Sequence, residues 1–160
     1  MIRGLRDEPD DVEIGTTLVR EYVVATALET GHDIELILPL VPELHDFAGW
    51  YLREGAFLVA DSGGTIGGGV GVTPGADGLC EMNRLWIRPG FRRDGLGRAL
   101  CEESLVAARA LGFRRMALDV VPERTGAIAL YRSLGFVDAP PRHDYPFAMI
   151  PLARDLSTHQ

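Results

Sequence analysis

The chain has 160 residues, 46% of them hydrophobic and 24% charged, with a formal net charge of −7. That length suits one domain over 1–160 with a self-sufficient core, and the composition is that of a globular protein. An acidic chain has no basic surplus with which to displace counterions, so nucleic acid is set aside as a partner.

In chain order, 2–5 reads as a short strand. Asp7-Glu8-Pro9-Asp10-Asp11 then supplies acids and a proline suited to a helix start. Val12, Thr16, Val19, Tyr22, Val23 and Ala27 recur at helical spacing until Gly31. Residues 32–54 are irregular, with a short helix predicted over 44–51. Strands follow at 56–60 and 65–73, joined by a hairpin turn at 61–64, and a long strand at 79–88 ends at Pro89-Gly90. The next helix is amphipathic, with Leu96, Leu100, Ala107 and Leu111 expected on its apolar side, and stops at Gly112. A strand at 115–121, a helix at 125–134 closed by Gly135, a strand starting at 136–137 and a last strand at 147–152 complete the order. The pattern is α/β with a mixed sheet.

No stretch reaches the ~20 apolar residues of a membrane helix, and no leader-like segment is visible, so no membrane is expected and the location expected is the cytoplasm. Cys80 and Cys101 lack metal or redox spacing and are expected to pack as small apolar residues. His45 and His143 have no ligand-spaced partners, so no metal is expected. The triple glycine Gly67-Gly68-Gly69 suits a sheet bulge or a close helix contact.

The densest signal is Arg92-Arg93-Asp94-Gly95-Leu96-Gly97, lying between the long strand and the amphipathic helix. A helix start carries unpaired N–H groups and partial positive charge, so it favours phosphate. Two glycines let main chain approach a ligand, and Arg84, Arg88, Arg92, Arg93 and Arg98 crowd cations into fifteen positions. Gly95-x-Gly97 has Leu100 where a dinucleotide fold needs a third glycine, and no Gly-Lys-Ser/Thr follows for a nucleoside triphosphatase.

These residues resemble the GCN5-related N-acetyltransferase (GNAT) superfamily. Its Arg/Gln-x-x-Gly-x-Gly/Ala signature is matched by Arg92, Gly95 and Gly97. Its preceding strand is matched by 81–89, and its Ala-Ile-x-Leu-Tyr-x-x-x-Gly-Phe block by Ala127, Ile128, Leu130, Tyr131, Gly135 and Phe136. The resemblance implies a mostly antiparallel, splayed sheet of about six or seven strands flanked by about four helices. It also implies an acetyl-CoA-dependent enzyme that passes the acetyl group directly to an amine, more plausibly on a small molecule than on a protein. The pyrophosphate is then expected on Arg92, Arg93, Asp94, Gly95, Leu96, Gly97 and Arg98, and the pantetheine arm beside Leu85, Trp86 and Ile87. Arg124 stands where many members carry Asn and is expected to meet the pantetheine or the 3′-phosphate. Asp94 brings a carboxylate near the pyrophosphate, a cost offset by Arg93 or Arg98.

A lysine-like amine has a pKa of ~10, so a base must take its proton. Glu81, heading the long strand, is the candidate. The oxyanion formed during attack needs a donor, most simply a backbone N–H near Leu85. Tyr131 occupies the family's usual place for the proton donor to the departing thiolate. Each role has a plainer competitor: Glu81 as a solvated acid or a partner of Arg84, and Tyr131 as core packing. The acids Asp33, Glu35, Glu43, Asp46 and Glu54 beside Trp50 and Tyr51 suggest a cationic, partly apolar acceptor. Arg142 or His143 equally suit an acceptor carboxylate. The rival class is a non-catalytic acetyl-CoA sensor, which needs neither Glu81 nor Tyr131. Proteins of this kind often pair through their last strands, so a homodimer stays open.

Overall fold

The structure is a computed structural model and describes residues 1–92 and 94–157. Seven strands form one sheet in the order β1-β2-β3-β4-β5-β7-β6. They are β1 (Ile2–Gly4), β2 (Ala56–Ser62), β3 (Thr65–Pro74), β4 (Leu79–Ile87), β5 (Arg115–Val120), β6 (Val137–Asp138) and β7 (Ile150–Asp155). Helices α1 (Pro9–Thr30), α2 (Ile34–Ile37), α3 (Phe47–Tyr51), α4 (Leu96–Ala110) and α5 (Thr125–Ser133) flank it. Every neighbouring pair runs antiparallel except β4 and β5. Those two are parallel because α4 carries the chain back between them, the ordinary crossover of a βαβ unit.

Two apolar clusters cover the two faces of the sheet. One joins α4 and α5 to Val70, Met82, Met116 and Leu118, with Cys80 and Cys101 fully buried in it. Burial pushes both thiols up to about 12, so they act as packing groups, as their spacing suggests. The other seats α1 and α3 on Phe57, Val59 and Ile66. There Phe47, Tyr51 and Phe57 pack ring against ring with centroids 5.0 Å apart.

The triple glycine serves both expected purposes. The β2–β3 register shifts at Ala60/Asp61. A side chain at Gly69 would also stand 2.7 Å from Phe57 and 2.9 Å from Leu18, so α1 can close on the sheet only over glycine.

Three expectations are corrected. On α4 the buried face is Leu100, Cys101, Ser104, Leu105 and Ala108, while Leu111 is exposed, because the helix ends at Ala110 and Leu111 begins the turn. The helix expected over 44–51 is the shorter α3, because Leu44 ends a 3-10 turn and Asp46 caps the helix by accepting from the Gly49 N–H; α2 and a second 3-10 turn precede it. The last strand begins at Ile150, not 147, because Phe147 leaves the sheet to stack on His32 at 4.5 Å.

The first strand is fastened by charge. Arg3 gives Nη1 and Nη2 to the two oxygens of buried Asp11, each at 3.0 Å, and Nε to Asp61 at 2.9 Å. The Arg6 N–H adds 2.8 Å to Asp11. Hydrogen bonds from Arg3 hold both carboxyls below the ordinary aspartate value of 3.8. A lowered folded-state pKa stabilises above the unfolded value and is lost as pH falls through the folded one. Stability should therefore decline below about pH 4, and Asp11→Asn should lower the midpoint at pH 7 while flattening that decline. Thermal melts from pH 7 to pH 3 check both.

Candidate active site

The site begins where β4 and β5 separate. They pair only at Leu79↔Arg115, Cys80↔Met116 and Glu81↔Ala117, then diverge. The resulting slot is bordered by Met82, Asn83, Arg84 and Leu85 on one strand and Leu118, Asp119 and Val120 on the other. Tyr22, Arg124, Ala127 and Tyr131 close its remaining sides.

A bulge in β4 decides what faces which way. Asn83 pairs with Gly71 and Trp86 with Gly69, so Arg84 and Leu85 stand opposite one residue. Arg84 takes a left-handed φ of 55°. The inserted residue shifts the alternation of side chains and frees main-chain groups from the ladder. Cys80, Met82, Leu85 and Ile87 thus pack toward α4, while Asn83, Arg84 and Trp86 all turn toward α1.

Arg84 pays for this conformation with a buried ion pair. Its Nε lies 2.7 Å from Oε2 of Glu43, whose side chain is fully buried, and its Nη2 lies 2.9 Å from the Leu40 carbonyl. The Tyr51 hydroxyl sits 2.7 Å from both Glu43 Oε2 and Asn83 Oδ1, and Asn83 donates to Thr73 at 3.0 Å. Burial, reinforced by the Glu43 charge, pushes the Tyr51 hydroxyl well above its ordinary 10.0. Glu43 therefore belongs to the frame of the site. Asp33 and Asp46 cap α2 and α3, and Tyr51 is core, so the acids of 32–54 do not assemble into a cation pocket.

The glycine loop follows the end of β4 and opens α4. Gly95 is the N-cap of α4 at φ 72°, and no side chain caps the helix start. The amides of Leu96, Gly97 and Arg98 thus lack both an intrahelical acceptor and a capping side chain. A Cβ at Gly97 would meet only Leu130 at 3.6 Å and Ile87 at 3.9 Å, ordinary contacts, so packing does not demand glycine there. The flanking side chains have their own attachments. Arg92 lies 5.0 Å over the Trp86 ring and donates to the Ile87 carbonyl, and Asp94 is exposed. Arg98 donates to Ser133 at 2.7 Å, spanning α4 and α5. Trp86 and Arg88 both donate to Glu21 of α1. Arg93 lies outside the described residues.

Tyr131 is buried, and desolvation raises its hydroxyl well above 10.0, so it is protonated throughout the neutral range. Arg124 borders the slot, yet its guanidinium turns to α1, reaching Glu29 at 2.7 Å and Thr26 at 2.8 Å above the Tyr22 ring. It clamps α5 to α1 rather than facing the glycine loop.

Glu81 lies in a second cavity of about 90 Å³ that shares Tyr22, Met82, Asn83, Arg84 and Asp119 with the slot. Its partner is not Arg84. Arg142 Nη2 lies 3.0 Å from Glu81 Oε1 and 3.3 Å from Asp119 Oδ2. His143 Nε2 lies 3.0 and 3.1 Å from the two Glu81 oxygens, and Tyr145 donates to Asp119 at 2.7 Å. Glu81, Asp119 and His143 bring ligand atoms within 4.8 Å of one another, a grouping that sequence distance hides. The cation standing among them here is the Arg142 guanidinium. Asp119 had one signal in the sequence, as the lone acid in an otherwise apolar stretch of strand. Tyr22 had none as a site residue, and although Arg142 and His143 were expected to suit an acceptor carboxylate, chain distance hid their meeting with Glu81.

Comparison with known proteins agrees with this geometry. The family model described as Acetyltransferase (GNAT) family matches residues 28–136. An N-acetyltransferase of Schizosaccharomyces pombe is 34% identical over 143 residues, covering 86% of this chain and 83% of the relative. A GNAT-family acetyltransferase from Staphylococcus aureus superposes with a TM-score of 0.75 at 16% identity, over 98% of this chain and 99% of the other. A phosphinothricin acetyltransferase from Sinorhizobium meliloti, solved with acetyl-CoA, gives 0.70 at 24% identity over 97% and 87%. The chain belongs to the GNAT acetyltransferase family. Among the described residues no helix is long and apolar enough to cross a membrane.

The buried pair generates a stability prediction. Removing one partner leaves an uncompensated charge, which costs about 3–5 kcal/mol. Glu43→Ala should therefore destabilise by about that amount, while Glu43→Leu combined with Arg84→Met should recover part of it. Urea unfolding of the three proteins measures the difference.

Proposed function

We propose that the chain is an acetyl-CoA-dependent N-acetyltransferase acting on the amine of a small molecule. The observation that carries the reading is the continuity of the site. The slot between the parted strands shares residues with a cavity that holds a carboxylate, a protonated tyrosine borders the slot, and Gly97 at the uncapped helix start lies beside Ile87 at the end of the same strand. Acetyl-CoA supplies an activated acyl group and a stable leaving thiol.

The residues present fit that co-substrate. The amides of Leu96, Gly97 and Arg98 suit a pyrophosphate, with Gly95 and Gly97 keeping side chains away and Arg92 and Arg98 supplying charge nearby. Arg93 is proposed to add to that charge, and Asp94 to border the same loop. The edge of β4 at Leu85, Trp86 and Ile87 suits an extended arm carrying amides. Arg124 fixes the far wall of the slot through α1.

Glu81 accepts one proton of the incoming ammonium and passes it to solvent, leaving a neutral amine. The bulge at Arg84 and Leu85 presents a main-chain N–H where negative charge builds on the acetyl oxygen. As the amine's C–N bond forms and the C–S bond breaks, Tyr131 gives its proton to the departing sulfur. The second amine proton then restores the tyrosine.

Titration calorimetry with acetyl-CoA tests the loop. Gly97→Ala should fold and bind, whereas Gly97→Asp places bulk and negative charge at the helix start and should abolish the heat. Normal binding by Gly97→Asp would reject the assignment. Tyr131→Phe should slow turnover by ~10²–10⁴-fold, with Glu81→Gln losing at least ~10²-fold, in an assay of CoA release. An unchanged rate would return either residue to a structural role.

A further inference from the structure

Resting on the acetyl-transfer reading, we infer that the acceptor is a free α-amino acid with a medium-sized apolar side chain, its carboxylate held by Arg142. The first observation is the state of the guanidinium. Nη2 alone serves both Glu81 and Asp119, while Nε and Nη1 are buried with no hydrogen-bond partner. A charged donor removed from water without an acceptor is costly, and a bound carboxylate is the group that relieves it best.

The second observation is the pattern of charge. Arg142 lies between two carboxylates, Glu81 on β4 and Asp119 on β5, with the nearer contact at 3.0 Å. An α-amino acid carries its ammonium and its carboxylate a few ångströms apart, so one end matches Glu81 while the other matches Arg142. A simple amine or polyamine satisfies the acids but leaves the two buried donors unmet. A peptide N-terminus presents a neutral carbonyl where the carboxylate belongs.

The third observation is the cavity lined by Glu81 and Asp119, the two acids that Arg142 joins. Ile37, Leu40, Val41, Phe147 and Met149 give it apolar walls, and about 90 Å³ is the room of about three waters. That suits a side chain of a few carbons. The 139–149 strap carries Tyr145 and Phe147 into the cavity lining and is pinned to the 32–54 segment by the Phe147–His32 stack.

The test is a rate comparison by CoA release, using leucine, methionine and phenylalanine beside their primary amides and their decarboxylated amines. The free acids should exceed the amides in kcat/KM by about 10–100-fold. Arg142→Ala should erase that ratio by cutting the rate on acids further than the rate on amides, and Arg142→Lys should restore part of it. Amides or simple amines turned over as well as the acids would overturn the inference, and this arm needs only the wild-type protein. Equal losses on acids and amides in Arg142→Ala would also overturn it, reducing Arg142 to a tie between strands. No turnover of any amino acid while acetyl-CoA binds would overturn it and leave acetyl transfer standing. Absence of acetyl-CoA binding would instead reject the acetyl-transfer reading itself.

Discussion

Everything in this molecule follows from two strands that cannot stay paired. β4 and β5 share three register positions and then part at Glu81 and Ala117. A parallel pair pulled open leaves unsatisfied main-chain groups facing a gap, and those groups need a partner that brings its own amides. The α4 crossover creates the pair, and its own uncapped start follows the end of β4. One topological unit thus supplies both the opened strand pair and the uncapped helix start on which the proposed site is built. The rest of the sheet is ordinary antiparallel ladder that holds this opening in place.

The opening is maintained at a cost that the chain meets locally. A left-handed arginine in a strand and a fully buried glutamate are each unfavourable alone. Together they satisfy each other, and through Tyr51, Asn83 and Thr73 they lock the bulge to α3 and β3. The bulge moves Asn83 and Arg84 onto one face, and the wall of the Glu81 cavity and the wall of the slot share both residues. Arg124, Glu21 and Tyr22 tie α1 across the same region. α1, which lies between β1 and β2 in sequence, therefore walls the slot.

Local signals made most of this architecture legible in advance. A proline start and a glycine stop bounded α1, a glycine stop closed α5, alternation marked the strands, and the Arg92–Gly97 spacing located the start of α4. The three matching blocks were enough to name the family before any coordinates. What stayed hidden was long-range pairing. Glu81 could be assigned to the acceptor side, but nothing near it in sequence announces Arg142 or His143, 61 and 62 residues away. Glu43 looked like one acid among several because burial depends on a partner 41 residues distant. Leu111 was misplaced because periodicity says nothing about where the last helical turn ends.

The account stands on the parted strands as the seat of the co-substrate. A crystal structure with acetyl-CoA measures this directly. The account requires the pyrophosphate on the amides of Leu96 to Arg98 and the arm lying between β4 and β5, with the acetyl group near Glu81 and Tyr131. A coenzyme bound elsewhere, with that gap empty or closed, would contradict it.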